Sequence, residues 1–258
     1  MIPGPSLSPA EALCQTRLQL RGARGRIAEQ IAQAIPLPTT LAPETLPLDR
    51  IRFWVVDVET TGQGPPQDRV IEVAGVEVLG RALGRSFTSL VNPGVPLPAW
   101  ITRLTGITPS LLAQAPKPEA LFPYLYQLFQ DTALCAHSAA FDLNCLQREF
   151  ELTLGRRLET PVICTVRLAR RIFPELKNHH LDAVAQRLRL HFGRTGTHLG
   201  RHRALGDALV TAELFLKFLR RLHPAGINTL ADLRHFQNLP LRKAKIILDY
   251  PTKPKSKI

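Results

Sequence analysis

The sequence predicts a mixed α/β fold, on three observations. Three β-rich runs follow one another across short turns between residues 53 and 91. From residue 118 onward, helical runs alternate with a short apolar run at Ala133–Ala136. A long amphipathic pattern then occupies 203–222. Strands joined so closely form an antiparallel meander, and the later helices cover the faces of the sheet.

The elements follow in order. Ser8-Pro9-Ala10-Glu11 fits a capping box with proline at the first helical position. A helical pattern runs from there towards Pro36, weakened by Gly22 and Gly25. Pro36, Pro38, Pro43 and Pro47 make the next stretch an extended linker, so residues 1–50 read as an N-terminal helix and linker. Residues 53–56 (FWVV) are a buried strand, 70–79 a second and 85–91 a third. The GQGPPQD stretch and Gly80 to Gly84 supply the turns. Residues 118–130 and 139–151 are helical on either side of the 133–136 strand, with further helical runs at 165–173 and 180–190. Over 203–222 the apolar positions Leu205, Ala208, Leu209, Ala212, Phe215, Leu216, Leu219 and Leu222 keep i, i+3, i+4 spacing. Residues 51–222 thus form the central domain. Residues 223–258 form a basic C-terminal extension whose last eight residues, PTKPKSKI, are a solvated tail.

Composition narrows the classes. The chain has 258 residues, 45% of them hydrophobic, enough for a sizeable core. Cys14, Cys135, Cys145 and Cys164 show no C-x-x-C spacing, so they read as reduced thiols of a cytoplasmic protein, not a disulfide framework or zinc site. No apolar run reaches membrane-spanning length and no secretory signal pattern opens the chain, so no membrane partner is expected. An Arg-rich start also fits an organelle transit peptide, but Glu11, Glu29 and scarce serine count against that. The 33 Lys and Arg against 21 Asp and Glu give a net charge of +12. Such a surplus favours polyanions, although it also serves solubility. It is concentrated over 156–203, with eleven basic residues against three acidic ones.

Five residues carry the chemistry. Asp57-Val58-Glu59-Thr60-Thr61-Gly62 directly follows the first strand. Residues i and i+2 share one face of a strand, so Asp57 and Glu59 project side by side. Adjacent carboxylates repel unless a cation lies between them, and oxygen ligands suit Mg²⁺ or Mn²⁺. The plain alternative is two solvated acids at a strand end. Asp142, in Ala136-His137-Ser138-Ala139-Ala140-Phe141-Asp142, falls in the first turn of the helix after the 133–136 strand. An acid there also complements the helix dipole. In His202-Arg203-Ala204-Leu205-Gly206-Asp207-Ala208, Asp207 lies near the buried face of the long helix, where an unpaired carboxylate is costly. Gly206 admits a close approach by another backbone or a ligand, and His202 in the lead-in suits proton abstraction near neutral pH. The alternative there is a capping histidine with a backbone-bonded aspartate.

The order and context of DVETTG, AHSAAFD and HRALGDA resemble the three motifs of the DEDD exonucleases with a histidine (DEDDh), the group containing the proofreading epsilon subunit of bacterial DNA polymerase III. LVNPGVPLPAWITRLTGIT and TVRLARRIFPEL resemble that family's connecting stretches, and the likeness covers about residues 51–220. Ser138 stands where the family usually has Asn, and Cys164 where Asp often precedes the threonine. The resemblance implies a ribonuclease H-like fold and 3′→5′ exonuclease activity with two divalent metal ions, Mg²⁺ or Mn²⁺. It implies Asp57, Glu59, Asp142 and Asp207 as metal ligands, Asp57 shared by both ions, and His202 as general base. It also implies that Thr60 and Thr105 hold the terminal nucleotide. The partners implied are single-stranded DNA or RNA 3′ ends and a DNA polymerase subunit. Two alternatives remain: an RNA-trimming exonuclease of the same fold, and a catalytically silent nucleic-acid-binding module.

Other candidates carry less. Gly200 lies between His198 and His202 and argues against a zinc helix, and no G-K-[ST] phosphate loop occurs. His179 and His180 are expected to cap the following helix, and 237–241 (QNLPL) to form a surface turn.

Overall fold

Alternation along one strand decides the layering. The computed structural model describes residues 18–19, 44–194 and 196–249. Its strands are β1 (Leu18–Gln19), β2 (Phe53–Thr60), β3 (Val70–Leu79), β4 (Ala82–Leu90), β5 (Ala133–Ala136) and β6 (Val162–Cys164). They form one mixed sheet in the order β1-β4-β3-β2-β5-β6. β2, β3 and β4 pair antiparallel, whereas β5 runs parallel to β2 and β6 parallel to β5. Phe53 and Val55 of β2 point into one hydrophobic cluster, and Trp54, Val56 and Val58 into another on the opposite face.

Helices fill both sides. α1 (Ala99–Thr105) and α2 (Pro109–Ala113) follow β4, held by a small cluster of Ile71, Ile101, Ile107 and Leu112. α3 (Pro118–Phe129) and α4 (Ala139–Leu154) cover the Trp54 face, where Phe122 and Phe150 meet edge-on at 5.6 Å. α5 (Thr165–Ile172), α6 (Leu181–Leu188) and α7 (Ala204–Leu222) belong to the other face. There Phe215 of α7 meets Phe53 at 5.0 Å. The expected meander, the 133–136 strand and the long helix all form.

The chain after α7 also joins this core. α8 (Leu230–Phe236) begins with a capping box between Thr229 and Asp232, and Leu230, Leu233 and Phe236 enter the same cluster as α7. α9 (Leu241–Asp249) follows, with Ala244 buried. The expected surface turn at 237–241 is instead partly interior. Gln237 is buried, and its side-chain amide accepts from Cys164 N–H at 2.9 Å and donates to the Val162 carbonyl at 3.0 Å. This amide satisfies the open edge of β6 much as a further strand would. Residues 44–50 lie against the same region, where Leu48 N–H donates to the Asn228 carbonyl at 2.8 Å. Of the expected N-terminal helix, only Leu18 and Gln19 are described, as β1 pairing with β4. The rest of that helix, most of the linker and the tail lie outside the described residues.

Candidate active site

β2 carries its acids on the α7 side of the sheet. Asp57 and Glu59 continue the face of Phe53 and Val55, and β2 extends further than the apolar run alone, to Thr60. Asp207 sits in the first turn of α7. Ligand oxygens of Asp57, Glu59 and Asp207 all lie within 4.8 Å of one another. Asp142 comes from the first turn of α4, beyond the parallel strand β5, and its Oδ1 accepts from Val58 N–H of β2 at 3.3 Å. The topology thus brings Asp142 near Asp57, Glu59 and Asp207, although only the latter three lie within the mutual 4.8 Å. Parallel sheets bind ligands beyond the carboxyl ends of their strands, and β2 and β5 both end here.

The electrostatics of this cluster are adverse without a cation. Burial, with the charges of Asp207, Asp142 and Glu59, holds the Asp57 carboxyl well above the usual range. Burial and Asp207 push Glu59 up to about 8. Asp142 rises to about 8, chiefly through burial, and Asp207 to about 7 by the same cause. Asp207 Oδ1 is buried without a hydrogen-bond partner. A cation bound here would resolve both the repulsion and the orphaned oxygen.

This charge has a measurable consequence. In the unfolded chain such carboxyls titrate near 4. The folded protein holds their protons to about 7 or 8 at Asp207, Glu59 and Asp142. Through these carboxyls the folded state binds the extra protons, so their contribution makes stability fall as pH rises from about 4 to about 8. The neutral His137 opposes this below about 6.5, so the fall is cleanest from about 6.5 to about 8. The melting temperature in chelator is expected to fall across that window. Mg²⁺ should restore it more at pH 8.5 than at pH 5, because only ionised carboxylates bind it. A melting temperature flat with pH in chelator would contradict the repulsion.

Two buried clamps set the geometry. Glu72 of β3 receives Arg203 Nε and Nη2 at 3.0 and 2.6 Å, and also Ala204 N–H at 3.0 Å. It therefore anchors the first residue of α7 and fixes the lead-in that bears His202. Glu149 of α4 receives Arg69 Nε and Nη2 at 2.8 and 2.9 Å and Val70 N–H at 3.2 Å, tying the Asp142 helix to β3. Both acids are 1% exposed. Glu72→Ala is expected to lower unfolding stability by about 3 kcal/mol, the low end for a broken buried pair because Arg203 keeps some exposure. It should also reduce turnover by loosening the start of α7; unchanged urea unfolding would contradict this.

Gly206 fits the expectation of close approach, and the neighbour is backbone: a Cβ there would meet the carbonyl oxygens of Leu199 and Gly200. This packing presses the loop before His202 against α7. His202 itself is half-buried with φ +60°. Burial and the adjacent Arg201 lower its pKa, so the ring is neutral near pH 7. Arg201 Nη1 donates to Asp207 Oδ2.

His137 supports the second motif. Its Nε2 donates to the His179 carbonyl at 2.9 Å, which leaves Nδ1 to accept from the Thr165 hydroxyl at 2.9 Å. Burial lowers its pKa to about 4, so it stays neutral as a strut between β5, α5 and the 179 loop. Ser138, next to it, has φ +69°, a left-handed conformation that Asn adopts more readily. The expected histidine caps of α6 do not form through side chains: His180 holds the N-cap position with no side-chain cap bond, and His179 Nε2 bonds the Phe173 carbonyl at 3.0 Å.

Thr60 and Thr105 are both buried. The Thr60 hydroxyl donates to the Gly62 carbonyl at 2.6 Å, and that of Thr105 to the Ile101 carbonyl at 2.9 Å. Both hydroxyls thus shape the local backbone. Of the eleven basic residues over 156–203, four stand in ion pairs: Arg157 with Glu151, Arg187 with Glu175, Arg201 with Asp182 and Asp207, and Arg203 with Glu72. Arg167, Arg170, Lys177, Arg189 and Arg194 are exposed.

A family model described as Exonuclease matches residues 54–215, from β2 into α7, across all four carboxylates and His202. The chain belongs to this exonuclease family. The exonuclease domain is 39% identical over 186 residues to a DNA polymerase III subunit epsilon-like protein of Rhodobacter capsulatus, covering 71% of this chain and 26% of that one. It is 34% identical to a DNA polymerase III PolC-type of Caldanaerobacter subterraneus, covering 70% of this chain and 12% of that one. The chain therefore spans about a quarter or less of these two relatives. It is 35% identical to the DNA polymerase III subunit epsilon of Aquifex aeolicus, covering 66% of this chain and 81% of that one. Among solved structures, one of Exonuclease X in complex with 5′ overhanging duplex DNA superposes with a TM-score of 0.56 at 26% identity. It covers 71% of this chain and 98% of that one. The fold is thus that of the exonucleases, the ribonuclease H-like sheet expected from the motifs. No helix among the described residues is long and apolar enough to cross a membrane.

Proposed function

We propose that this exonuclease hydrolyses single-stranded or frayed DNA from its 3′ end, releasing nucleoside 5′-monophosphates, as a proofreading companion of a DNA polymerase in the cytoplasm. The observation that carries the reading is the convergence of Asp57, Glu59 and Asp207 within 4.8 Å, beside an unpartnered buried Asp207 oxygen, in an exonuclease-family domain. An all-oxygen donor set of this charge fits hard divalent cations. Asp57, Glu59, Asp142 and Asp207 would hold two such ions, Mg²⁺ or Mn²⁺, with Asp57 common to both. When bound, the ions supply positive charge at the attacking and leaving oxygens of an in-line displacement.

The chain's own groups do the rest. His202 belongs to the histidine branch of the DEDD motifs and takes the proton of the attacking water, for which its lowered pKa keeps the ring neutral. Glu72 holds His202 and Asp207 in register by fixing the start of α7. The backbone near Thr60 and the turn built around Thr105 hold the terminal nucleotide. Exposed Arg167, Arg170, Arg189 and Arg194 line the path of the strand. With about four phosphate contacts, log affinity for single-stranded DNA should fall against log salt with a slope of about −3. A binding constant independent of salt would remove this electrostatic role.

The test is degradation of 5′-labelled single-stranded DNA and RNA with Mg²⁺, Mn²⁺ or chelator. A ladder of one-nucleotide steps on DNA, abolished by chelator, is expected. Faster attack on RNA would favour the RNA-trimming reading, and binding without cleavage would favour a silent module.

A further inference from the structure

Arg201 occupies a place that the three motifs do not explain. Its guanidinium lies between two carboxylates of unequal exposure. Asp182, at the start of α6, is 61% exposed and accepts from Nε at 3.0 and 3.2 Å and from Nη2 at 3.2 Å. Asp207, 5% exposed, accepts from Nη1. The guanidinium carbon stands 5.4 Å from the centre of the Phe192 ring. Asp182, Phe192 and Arg201 all line one cavity of about 740 Å³.

We propose that Arg201 is a built-in counter-cation of the metal centre, holding Asp207 until a divalent ion arrives and then passing wholly to Asp182. The inference rests on the metal site proposed above. A guanidinium bonded to one oxygen of Asp207 opposes a second cation on the same carboxylate, because like charges at such range repel. The two therefore compete. Release of Arg201 is undemanding because Nε and Nη2 already bond Asp182. Only the Nη1 contacts are given up, to Asp207 and, at 3.4 Å, to His202 Nδ1, and no charge is stranded. The Phe192 face and the cavity beside it leave the side chain room to turn. Asp182 thus acts on the metal through Arg201.

Mn²⁺ affinity without nucleic acid, measured by calorimetry and by electron paramagnetic resonance, tests this on the full chain. Arg201→Gln is expected to tighten Mn²⁺ binding by about fivefold or more, the worth of a modest ion pair. Asp182→Asn should weaken it, because Arg201 then has only Asp207. The double variant should match Arg201→Gln alone. Arg189→Gln removes a charge from the same cavity that bonds neither carboxylate, and it should change affinity less than Arg201→Gln does. Equal affinity in wild type and Arg201→Gln would overturn the proposal, as would an equal tightening by Arg189→Gln. A wild type that binds no Mn²⁺ at all would instead overturn the metal centre on which the proposal rests.

Discussion

Asp57→Asn is expected to lower kcat on the order of 10³-fold or more while raising the melting temperature of the metal-free protein. The two effects have one cause. Asp57 faces the charges of Asp207, Asp142 and Glu59 at once, and its own carboxyl is held well above the usual range. Removing its charge relieves the repulsion in the free protein and deprives a bound cation of its central ligand. The near-isosteric amide keeps the packing of β2, so lost turnover is not lost folding. Circular dichroism melts and single-stranded DNA hydrolysis on the same preparation separate the two. Near-full hydrolysis with Mg²⁺ would remove Asp57 from the centre.

His202→Ala is expected to cost 10²–10⁴ in kcat, on the order of a positioned base. Mn²⁺ affinity should change little, because His202 is not a proposed ligand. The wild-type rate should rise with pH through the histidine pKa and level off above it, since only the neutral ring accepts a proton. Burial and Arg201 both disfavour the charged ring, so that rise should lie below the usual histidine range. A normal kcat with a lowered melting temperature would reduce His202 to a structural part of the α7 lead-in.

Much of the site was legible because it is written locally. Asp57 and Glu59 sit two apart on a strand marked by FWVV, and Asp207 sits on the helix marked by Leu205, Ala208 and Leu209. Their convergence, however, depends on strand order, which came from the resemblance to a family and not from spacing. The positioning residues were not legible. Glu72 and Arg203 are 131 residues apart, and Arg69 and Glu149 are 80 apart. Nothing near Glu72 distinguishes it from Glu77 in the same VIEVAGVEVL run. A buried acid on an otherwise apolar strand was the available signal, since such a residue requires a partner.

Short elements escaped for a different reason. β6 has three residues, α2 five and α1 seven, too few for a period to register. Charge dominates the extension after α7 and masks Leu230, Leu233 and Phe236 at helical spacing. The surface turn expected at Gln237 fails because its amide closes the edge of β6, 73 residues away, a role no local pattern carries. The basic surplus over 156–203 favours polyanions as a count, yet Arg203 serves Glu72 and Arg201 serves Asp182 and Asp207. Charge counts do not reveal which cations are already committed.

Anomalous diffraction from crystals grown with Mn²⁺ and a nucleoside 5′-monophosphate tests the metal centre most directly. Two manganese peaks about 4 Å apart, both bound by Asp57 and flanked by Glu59, Asp142 and Asp207, are the predicted result. No manganese among these carboxylates, with the nucleotide bound elsewhere on the domain, would contradict it.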